Sequence, residues 1–387
     1  MNVKRFVKSA LLSLIGIGAM ATLGLTPAEA GTIKVGAILA ETGPAAFLGG
    51  PEVRTLKMLA DDLNAKGGIK GDKIELVIMD SAADPEKAIS FAKQLIEEQK
   101  VLAIIGPSTS GETMKIKAIA EEGKTILLSC AAAETIVNPV AKYVFKTPQK
   151  DSQVVQHIFT TMKGNGISKI AVLASNTGFG TAGKAQLEAG AKEAGIEILA
   201  TEVYDKAVTD LSSVVAKLMA NKDIQAVVNW SIEPVQGILA KNIRQAGWNV
   251  PIYQSHGFGN IKYVEASGAA AEGIIFPAGR LLVADSLADT DPQKKLLVDY
   301  KKAYEGKFNE TASTFGGHAY DAFTILVKAI ETAGTDKEKV RDAIENLKNF
   351  PGTAGVFNFS ATDHNGLGLD SIIMQTVKDG KFAIYKK

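Results

Sequence analysis

Gly178-Phe179-Gly180-Thr181-Ala182-Gly183 matches G-x-G-x-x-G, the turn that lets a backbone approach a pyrophosphate at a helix N-terminus. Glu202 stands near the spacing of a ribose-binding acid. Read as chemistry, this segment would make the chain a secreted dinucleotide-binding oxidoreductase. Read as packing, it needs its glycines only to turn tightly at the carboxyl end of a strand. A second loop, Gly106-Pro107-Ser108-Thr109-Ser110-Gly111, also precedes a helix. It lacks the lysine of a phosphate loop and is not a G-x-S-x-G nucleophile turn. Free amides, the positive end of a helix dipole and the hydroxyls of Ser108, Thr109 and Ser110 suit a carboxylate instead. Ser110 also reads as a plain helix N-cap.

The remaining reactive side chains are sparse. Cys130, the one cysteine, sits in the apolar run 126–133 and reads as a buried, inert thiol. The histidines are His157, His256, His318 and His364, and none has the H-E-x-x-H spacing of a metal site. No metal, cofactor or catalytic set is expected from them. His157, His318 and His364 read as structural. His256, in Gln254-Ser255-His256-Gly257, stands just past a strand, and Phe179 and Trp230 occupy equivalent edges, so the three together indicate a pocket.

Strands and helices alternate around these residues. Apolar runs at 33–40, 74–80, 101–105 and 125–131 read as strands, separated by helices over 48–65, 85–96 and 112–122. Asp84-Pro85 supplies an N-cap and a first-turn proline to the second helix. A similar set follows Thr147-Pro148, with strands at 169–174, 196–204, 225–230 and 251–255 and helices over 152–163, 181–194, 210–221 and 234–246. This order predicts an α/β fold of parallel sheets covered on both faces. The tail breaks the pattern, with helices expected from Asp291, Ser313 and Lys337 and a hairpin over 371–385 turning at Asp379-Gly380.

The 387 residues are enough for two domains, and 46% hydrophobic with 22% charged residues is a globular balance. Lys4, Arg5 and Lys8, an apolar stretch over 10–25 and Pro27-Ala28-Glu29-Ala30 read as a signal peptide cleaved after Ala30, which predicts a periplasmic protein. Without the three basic residues and one acid of that leader, 40 basic and 41 acidic residues remain. No basic stripe accompanies that balance, so nucleic acid is not expected as a partner. With one thiol there is no internal disulfide, and stability rests on core packing.

Ile33-Lys34-Val35-Gly36, Glu41-Thr42-Gly43-Pro44, residues 64–71, Ile105 to Gly111 and Ala319-Tyr320-Asp321-Ala322 occur in order along the chain. In this series the sequence resembles the type I periplasmic substrate-binding proteins of ABC importers, branched-chain amino acid class. The resemblance implies two α/β lobes joined by three crossings, 31–147 with 280–353 and 148–279 with 354–387. It also implies a monomeric, non-enzymatic receptor that closes on a small ligand and delivers it to a membrane permease. Carried over residue by residue, it places the ligand's carboxylate and amino group at Ser110, beside Ser108 and Thr109, and at Ala131 and Ala133, with Ala132 between them. From the opposite lobe come Phe179 and His256, and Phe47, Leu48 and Trp230 are expected to line the cleft.

Two positions depart from the amino-acid binders. Ala133 stands where they carry a hydroxyl, and His256 where they carry the acid that receives the ammonium. Burying an ammonium without an acceptor costs several kcal/mol. An apolar carboxylate, aromatic or branched, therefore fits these residues better than an α-amino acid, with His256 free to bond a ring hydroxyl. Together with Ser313 to His318, the 254–257 segment looks like the subgroup that takes aromatic acids. Another acid in the cleft, for example Glu233, would restore the amino-acid reading.

Overall fold

The first parallel unit is set by β1 (Thr32–Leu39), α1 (Ala46–Ala65), β2 (Lys73–Asp80), α2 (Pro85–Lys93), β3 (Ala103–Ile105), α3 (Ser110–Glu122), β4 (Ile126–Ser129) and β5 (Val144–Lys146). These are the coordinates of a computed structural model, which describes residues 31–387; the expected leader lies outside the described residues. The strands pair in the order β2-β1-β3-β4-β5, all parallel. Every residue of β3 and β4 is buried, as continuous apolar runs covered on both faces require. Asp84 caps α2 as expected, its carboxylate accepting from the Glu86 amide at 2.8 Å.

The second unit follows with α4 (Asp151–Gly164), β6 (Lys169–Ser175), α5 (Gly178–Ala194), β7 (Glu197–Tyr204), α6 (Ser212–Ala220), β8 (Ala226–Trp230), α7 (Val235–Gln245), β9 (Ile252–Gln254), α8 (Ile261–Ser267) and β10 (Ile275–Ala278). Then come α9 (Lys294–Phe308), α10 (Thr314–Ala333), α11 (Lys337–Glu345), a small β11 (Phe350–Pro351) and β12 (Val356–Phe357) pair, and the hairpin β13 (Ile373–Lys378) and β14 (Lys381–Ile384). The hairpin completes a seven-stranded sheet, β14-β13-β10-β9-β8-β6-β7, in which only β13 runs against the other strands. Asp379 and Gly380 turn it at φ of 51° and 69°, the left-handed conformation a two-residue hairpin needs.

Besides the small β11–β12 pair, two strands go beyond the sequence expectation. β5 has only three residues, and β10 contains Pro277, which argues against a strand when read from sequence alone. The expected helix start at Asp291 is also displaced. The Asp291 carboxylate accepts from the Gln293 amide at 2.9 Å, and α9 begins only at Lys294.

Each sheet has its own core. Val35, Ala37 and Leu39 of β1 turn toward α1, α10 and α11, whereas Ile38, Ile104 and Leu127 turn toward α2 and α3. The second sheet buries Val172, Val228 and Tyr253 beneath α4, α5 and α7. The expected assignment of 354–387 to the second half needs correction. Phe357, Phe359 and Leu367 pack into the first core, and the His364 ring stacks on Phe145 at 4.1 Å. The chain re-enters the second sheet at Ile373, because the Lys146 amide bonds the His364 carbonyl at 3.2 Å and holds the preceding segment beside β5.

Where the chain passes between the sheets, buried polar groups tie the passing segments together. Gln149 Nε2 donates to the Ala354 carbonyl at 2.8 Å, and Asn365 Nδ2 donates to that of Pro148 at 2.7 Å. Asp321 of α10 accepts from the Thr353 and Ala354 amides at 2.5 and 2.9 Å and from Thr353 Oγ1 at 3.0 Å. Burial pushes the Asp321 carboxyl up to about 7, even against those three bonds. This places the acid of the Ala319-Tyr320-Asp321-Ala322 motif at a crossing.

Candidate functional site

The carboxyl ends of β3 and β4 face those of β6, β8 and β9 across a cleft, the position where open α/β sheets take ligands. After β3, Gly106 lies at φ 99°, and a Cβ there would stand 2.2 Å from the Ile38 carbonyl oxygen, so glycine lets this loop lie against β1. Thr109, not Ser110, caps α3: its hydroxyl accepts from the Glu112 amide at 3.4 Å and donates to the Glu112 carboxylate at 2.5 Å. Ser110 opens the helix, and its Oγ accepts from the Ala133 amide at 3.1 Å, which leaves its own proton to donate. Ser108 is already engaged, accepting from the Ala40 amide at 3.0 Å and donating to Glu52. Burial pushes that Glu52 carboxyl up to about 8.

On the opposite wall, Thr177 caps α5 by accepting from the Gly180 amide at 3.2 Å, which sets Phe179 in the first turn. Phe179, Trp230 and His256 form an aromatic triangle with centroid separations of 5.7, 5.4 and 5.7 Å. Ser255 turns the chain after β9, its hydroxyl accepting from the Gly257 amide at 3.1 Å, and so directs His256 inward.

Two connected cavities result. The inner one is small, about 20 Å³, roughly the room one water needs, and is lined by Leu48, Ser108, Ser110, Cys130, Ala131, Ala132, Pro148, Phe179, Ile232, His256, Gly257, Phe315 and His318. The outer one, about 220 Å³, shares Ser110, Phe179 and Ile232 with it and adds Thr109, Gly111, Gly178, Lys206 and Glu233. Seven of the expected residues therefore meet around the inner cavity and Thr109 lines the outer one. Ala133 is buried behind Ser110 and contributes only its amide. Trp230 is fully buried beneath Phe179 and α5, and supports the wall without lining it. Phe47 is turned to the rim, where its ring packs edge-on against Tyr263 at 5.4 Å and its carbonyl accepts from Asn260 Nδ2 at 2.8 Å.

Sequence reading missed Lys146, Asp151, Phe315 and the role of His318. His318, expected to be structural, presents a ring to the inner cavity with Nδ1 unpartnered. Burial, helped by the charge of Lys146, holds its imidazolium pKa down at about 3. His256 is likewise pushed well below the usual histidine value by burial, Lys146 and His318, and neither ring nitrogen has a partner. Asp151 Oδ1, also unpartnered, lies 3.8 Å from His256 Nε2. Burial raises the Asp151 carboxyl and lowers the Lys146 ammonium, while the attraction between them opposes both shifts. Lys146 Nζ itself donates to the carbonyls of Ala132 at 2.5 Å and Gln149 at 2.9 Å. The site thus offers neutral imidazoles, apolar walls and a helix N-terminus.

The glycines at 178–183 are each explained by packing. A Cβ on Gly178 would stand 2.9 Å from Gly111 Cα, one on Gly180 2.0 Å from the Ser175 oxygen, and one on Gly183 2.1 Å from the Trp230 indole. Glu202 pairs with Lys217 at 2.6 Å on the edge strand β7. Cys130 lines the inner cavity, but burial and the nearby Glu52 and Asp321 carboxyls push its thiol well up, away from a nucleophilic thiolate.

Residues 32–381 match the family described as periplasmic binding protein, and the chain belongs to that family. The leucine-, isoleucine-, valine-, threonine- and alanine-binding protein of Pseudomonas aeruginosa is 27% identical, over 87% of this chain and 87% of that one. An extracellular ligand-binding receptor from Rhodopseudomonas palustris HaA2 superposes with a TM-score of 0.86 at 28% identity, covering 91% of this chain and 99% of its own. The branched-chain amino acid transporter substrate-binding protein LivJ of Streptococcus pneumoniae, solved with isoleucine, gives 0.79 at 28% identity, with coverage of 91% and 97%. The two-halved α/β architecture implied by the sequence resemblance is the one these solved receptors share.

Proposed function

We propose that the chain is a periplasmic solute receptor of an ABC importer, which captures a small apolar carboxylate between its two halves and presents it to the membrane permease as a monomer. The observation that carries this reading is the inner cavity, whose lining is drawn from both sheets: Ser110 and Ala131 from one, Phe179 and His256 from the other. A ligand held that way gains its full set of contacts only when the halves are together, so it favours the closed arrangement by differential affinity. The crossings near Thr147-Pro148, Ala278 to Arg280 and residues 353–372 are the hinge. Among the described residues no helix is long and apolar enough to cross a membrane, in keeping with a receptor released by its leader.

The carboxylate sits at the N-terminus of α3, where the Ser110 hydroxyl and the first-turn amides donate. Its apolar body lies against Leu48, Phe179, Ile232 and Phe315, which separate to admit it. Branched-chain amino acids are the ligands named for the relatives in Pseudomonas and Streptococcus, and they head the ligand class here. Aromatic acids fit the same walls, with a ring hydroxyl reaching His256. A thermal-shift screen of residues 31–387 against amino acids and aromatic and aliphatic carboxylates tests the reading. Ligand at 100 times Kd adds about 2.7 kcal/mol of stability, an easily read shift. No shift with any member of these panels overturns it.

A further inference from the structure

Glu52 of α1 is fully buried, one hydrogen bond behind the inner cavity, in surroundings that suit a carboxylic acid better than a carboxylate. Its Oε2 is bonded to the Ser108 hydroxyl, and among the described residues Oε1 has no hydrogen-bond partner. A single hydroxyl compensates a buried negative charge poorly. The titratable groups that face Glu52 do not help. Glu112 of α3 acts on it as a second negative charge, and Cys130, past β4, is a neutral thiol that Glu52 itself keeps protonated. From α10, which packs along α1, the charge of Asp321 reaches that same thiol, and Tyr300 of α9 bonds Thr55 rather than Glu52. Arg54 of the same helix is turned to Glu310. Burial therefore pushes the Glu52 carboxyl up to about 8 against the Ser108 bond, with Glu112 adding to the rise.

Ser108 makes that proton matter to the cleft. A serine hydroxyl accepts at most two hydrogen bonds and donates one. One acceptor position is filled by the Ala40 amide at 3.0 Å. When Glu52 is ionised, Ser108 gives its only proton to Oε2 and has none left for a ligand. When Glu52 is protonated the bond reverses: Ser108 accepts from Glu52, both of its acceptor positions are filled, and its own proton is released toward the inner cavity, which it lines with Ser110. Ser110, accepting from the Ala133 amide at 3.1 Å, has a free proton in either case. Two hydroxyl donors in one wall suit a carboxylate, and a negative Glu52 behind them opposes it.

We propose that Glu52 is a positioning residue that carries a proton whenever the receptor holds a carboxylate, so that ligand binding and proton uptake at Glu52 are one coupled step. The proposal rests on the receptor reading and adds to it what turns the anion subsite on. The proton comes from solvent, stays on Oε2 while the ligand is bound and returns to solvent on release. By reciprocity, a bound carboxylate makes Glu52 harder to ionise, and affinity falls as pH rises past the value of the ligand-free protein.

The test is calorimetric titration at pH 6 and pH 9 with the carboxylates that shift the melting temperature, leucine and 3-phenylpropanoate first among them. Running each titration in buffers of different ionisation enthalpy counts the protons taken up per ligand. Affinity of the unmodified protein is expected to fall about 5- to 10-fold from pH 6 to pH 9. Glu52→Gln keeps a donor toward Ser108 and has no proton to lose. It should match the unmodified protein at pH 6, bind more tightly than it at pH 9, and take up about 0.5–0.8 proton per ligand less there. Lys146, whose ammonium burial lowers to about 8, titrates in the same range. Infrared difference spectra on adding ligand at pH 9 separate the two, because only a carboxylate that takes up the proton gains the carbonyl stretch of a carboxylic acid, and Glu52→Gln should lack that band. Level affinity of the unmodified protein across this range overturns the proposal and leaves the receptor reading standing, and so does equal proton uptake by both proteins or uptake without the carboxylic acid band. Binding of no carboxylate at either pH overturns both readings. Because the pH dependence of the unmodified protein is itself a required result, a Glu52 variant that failed to fold would still leave the proposal open to refutation.

Discussion

Gly111 and Gly178 meet backbone to backbone across the cleft: a Cβ on Gly178 would stand 2.9 Å from both the Cα and the amide nitrogen of Gly111. Each lies in the first turn of its helix, α3 on one half and α5 on the other. The approach depends on Gly178 having no side chain, whereas a Cβ on Gly111 would meet only the Gly178 nitrogen, at 4.0 Å.

Gly178→Ala should therefore act on closure more than on folding. Alanine favours a helix over glycine by about 1 kcal/mol, and φ at Gly178 is not in the left-handed region, so the separated halves tolerate the methyl group. In the closed arrangement the added carbon overpacks backbone on backbone, which costs about 1–3 kcal/mol. Ligand affinity should fall about 5- to 100-fold while the melting temperature of the ligand-free protein holds or rises. Titration and melting curves on one preparation check this, and an unchanged affinity would show that the two turns do not meet in the bound state.

Lys262 of α8 reaches over the other rim of the cleft. It contacts Glu310, which also holds Arg54 of α1 at 2.5 Å, and its ammonium lies 5.7 Å from the Phe47 ring centroid. The cluster is partly exposed, and such pairs contribute about 0.2–1 kcal/mol. Lys262→Ala is expected to weaken ligand binding about two- to fivefold at low salt. The loss should shrink above about 0.5 M salt, where screening has already removed most of the attraction in the unmodified protein. Affinity measured at two ionic strengths for both proteins decides it.

The lysine rim and the glycine contact differ in how far local sequence announces them. Strand and helix order, the α3 loop and the final hairpin were legible because each is written in short-range patterns: apolar runs, Asp84-Pro85, Asp379-Gly380. The walls of the cavity were less so. Trp230 and Phe47 have the composition of pocket residues, but only the packing of α5 on Trp230 and of Tyr263 on Phe47 reveals that one supports the wall and the other closes the rim. Lys146 and Asp151 look like solvent-facing charges at the ends of a strand and a helix. They are fully buried because the segments 353–354 and 364–367 return beside β5, contacts more than 200 residues distant. Phe315 and His318 carried a readable signal in Gly316-Gly317, which admits Tyr300 and Thr353 against the α10 N-terminus and so sets that helix end into the cleft.

Acid should expose the cost of the buried imidazole at His318. Its folded pKa of about 3 lies below the ordinary value of 6.5, so protonation favours the unfolded chain. The associated stability is fully present above pH 6.5 and is lost as pH falls from there toward 3. Asp321 and Glu52 run the opposite way: their folded values, about 7 and about 8, are raised, so their contribution is present at low pH and fades as pH rises through those values. The unmodified protein sums these opposing slopes, and the histidine share is read only by difference. His318→Asn should gain stability relative to the unmodified protein by about 1.4 kcal/mol for each pH unit between 6.5 and 4. Denaturant midpoints for both proteins across that range measure the difference, and parallel curves would show that His318 takes up its proton without leaving the folded state.

Cys130 makes opening of the cleft measurable in the unaltered chain. It is the only cysteine, it lines the inner cavity, and at 3% exposure it is shielded by both halves. A maleimide reaches it only when the halves separate, and the raised thiol pKa makes even that reaction slow and strongly dependent on pH. A ligand that binds the closed arrangement lowers the open population by the factor 1 + [L]/Kd, so at 100 times Kd the alkylation rate should drop about 100-fold. Gly178→Ala, which disfavours closure, should instead react faster than the unmodified protein without ligand. Mass spectrometry of timed quenches gives both rates. Equal rates with and without ligand would mean that Cys130 is reached through fluctuations of its own half, and that the cavity does not depend on the two halves coming together.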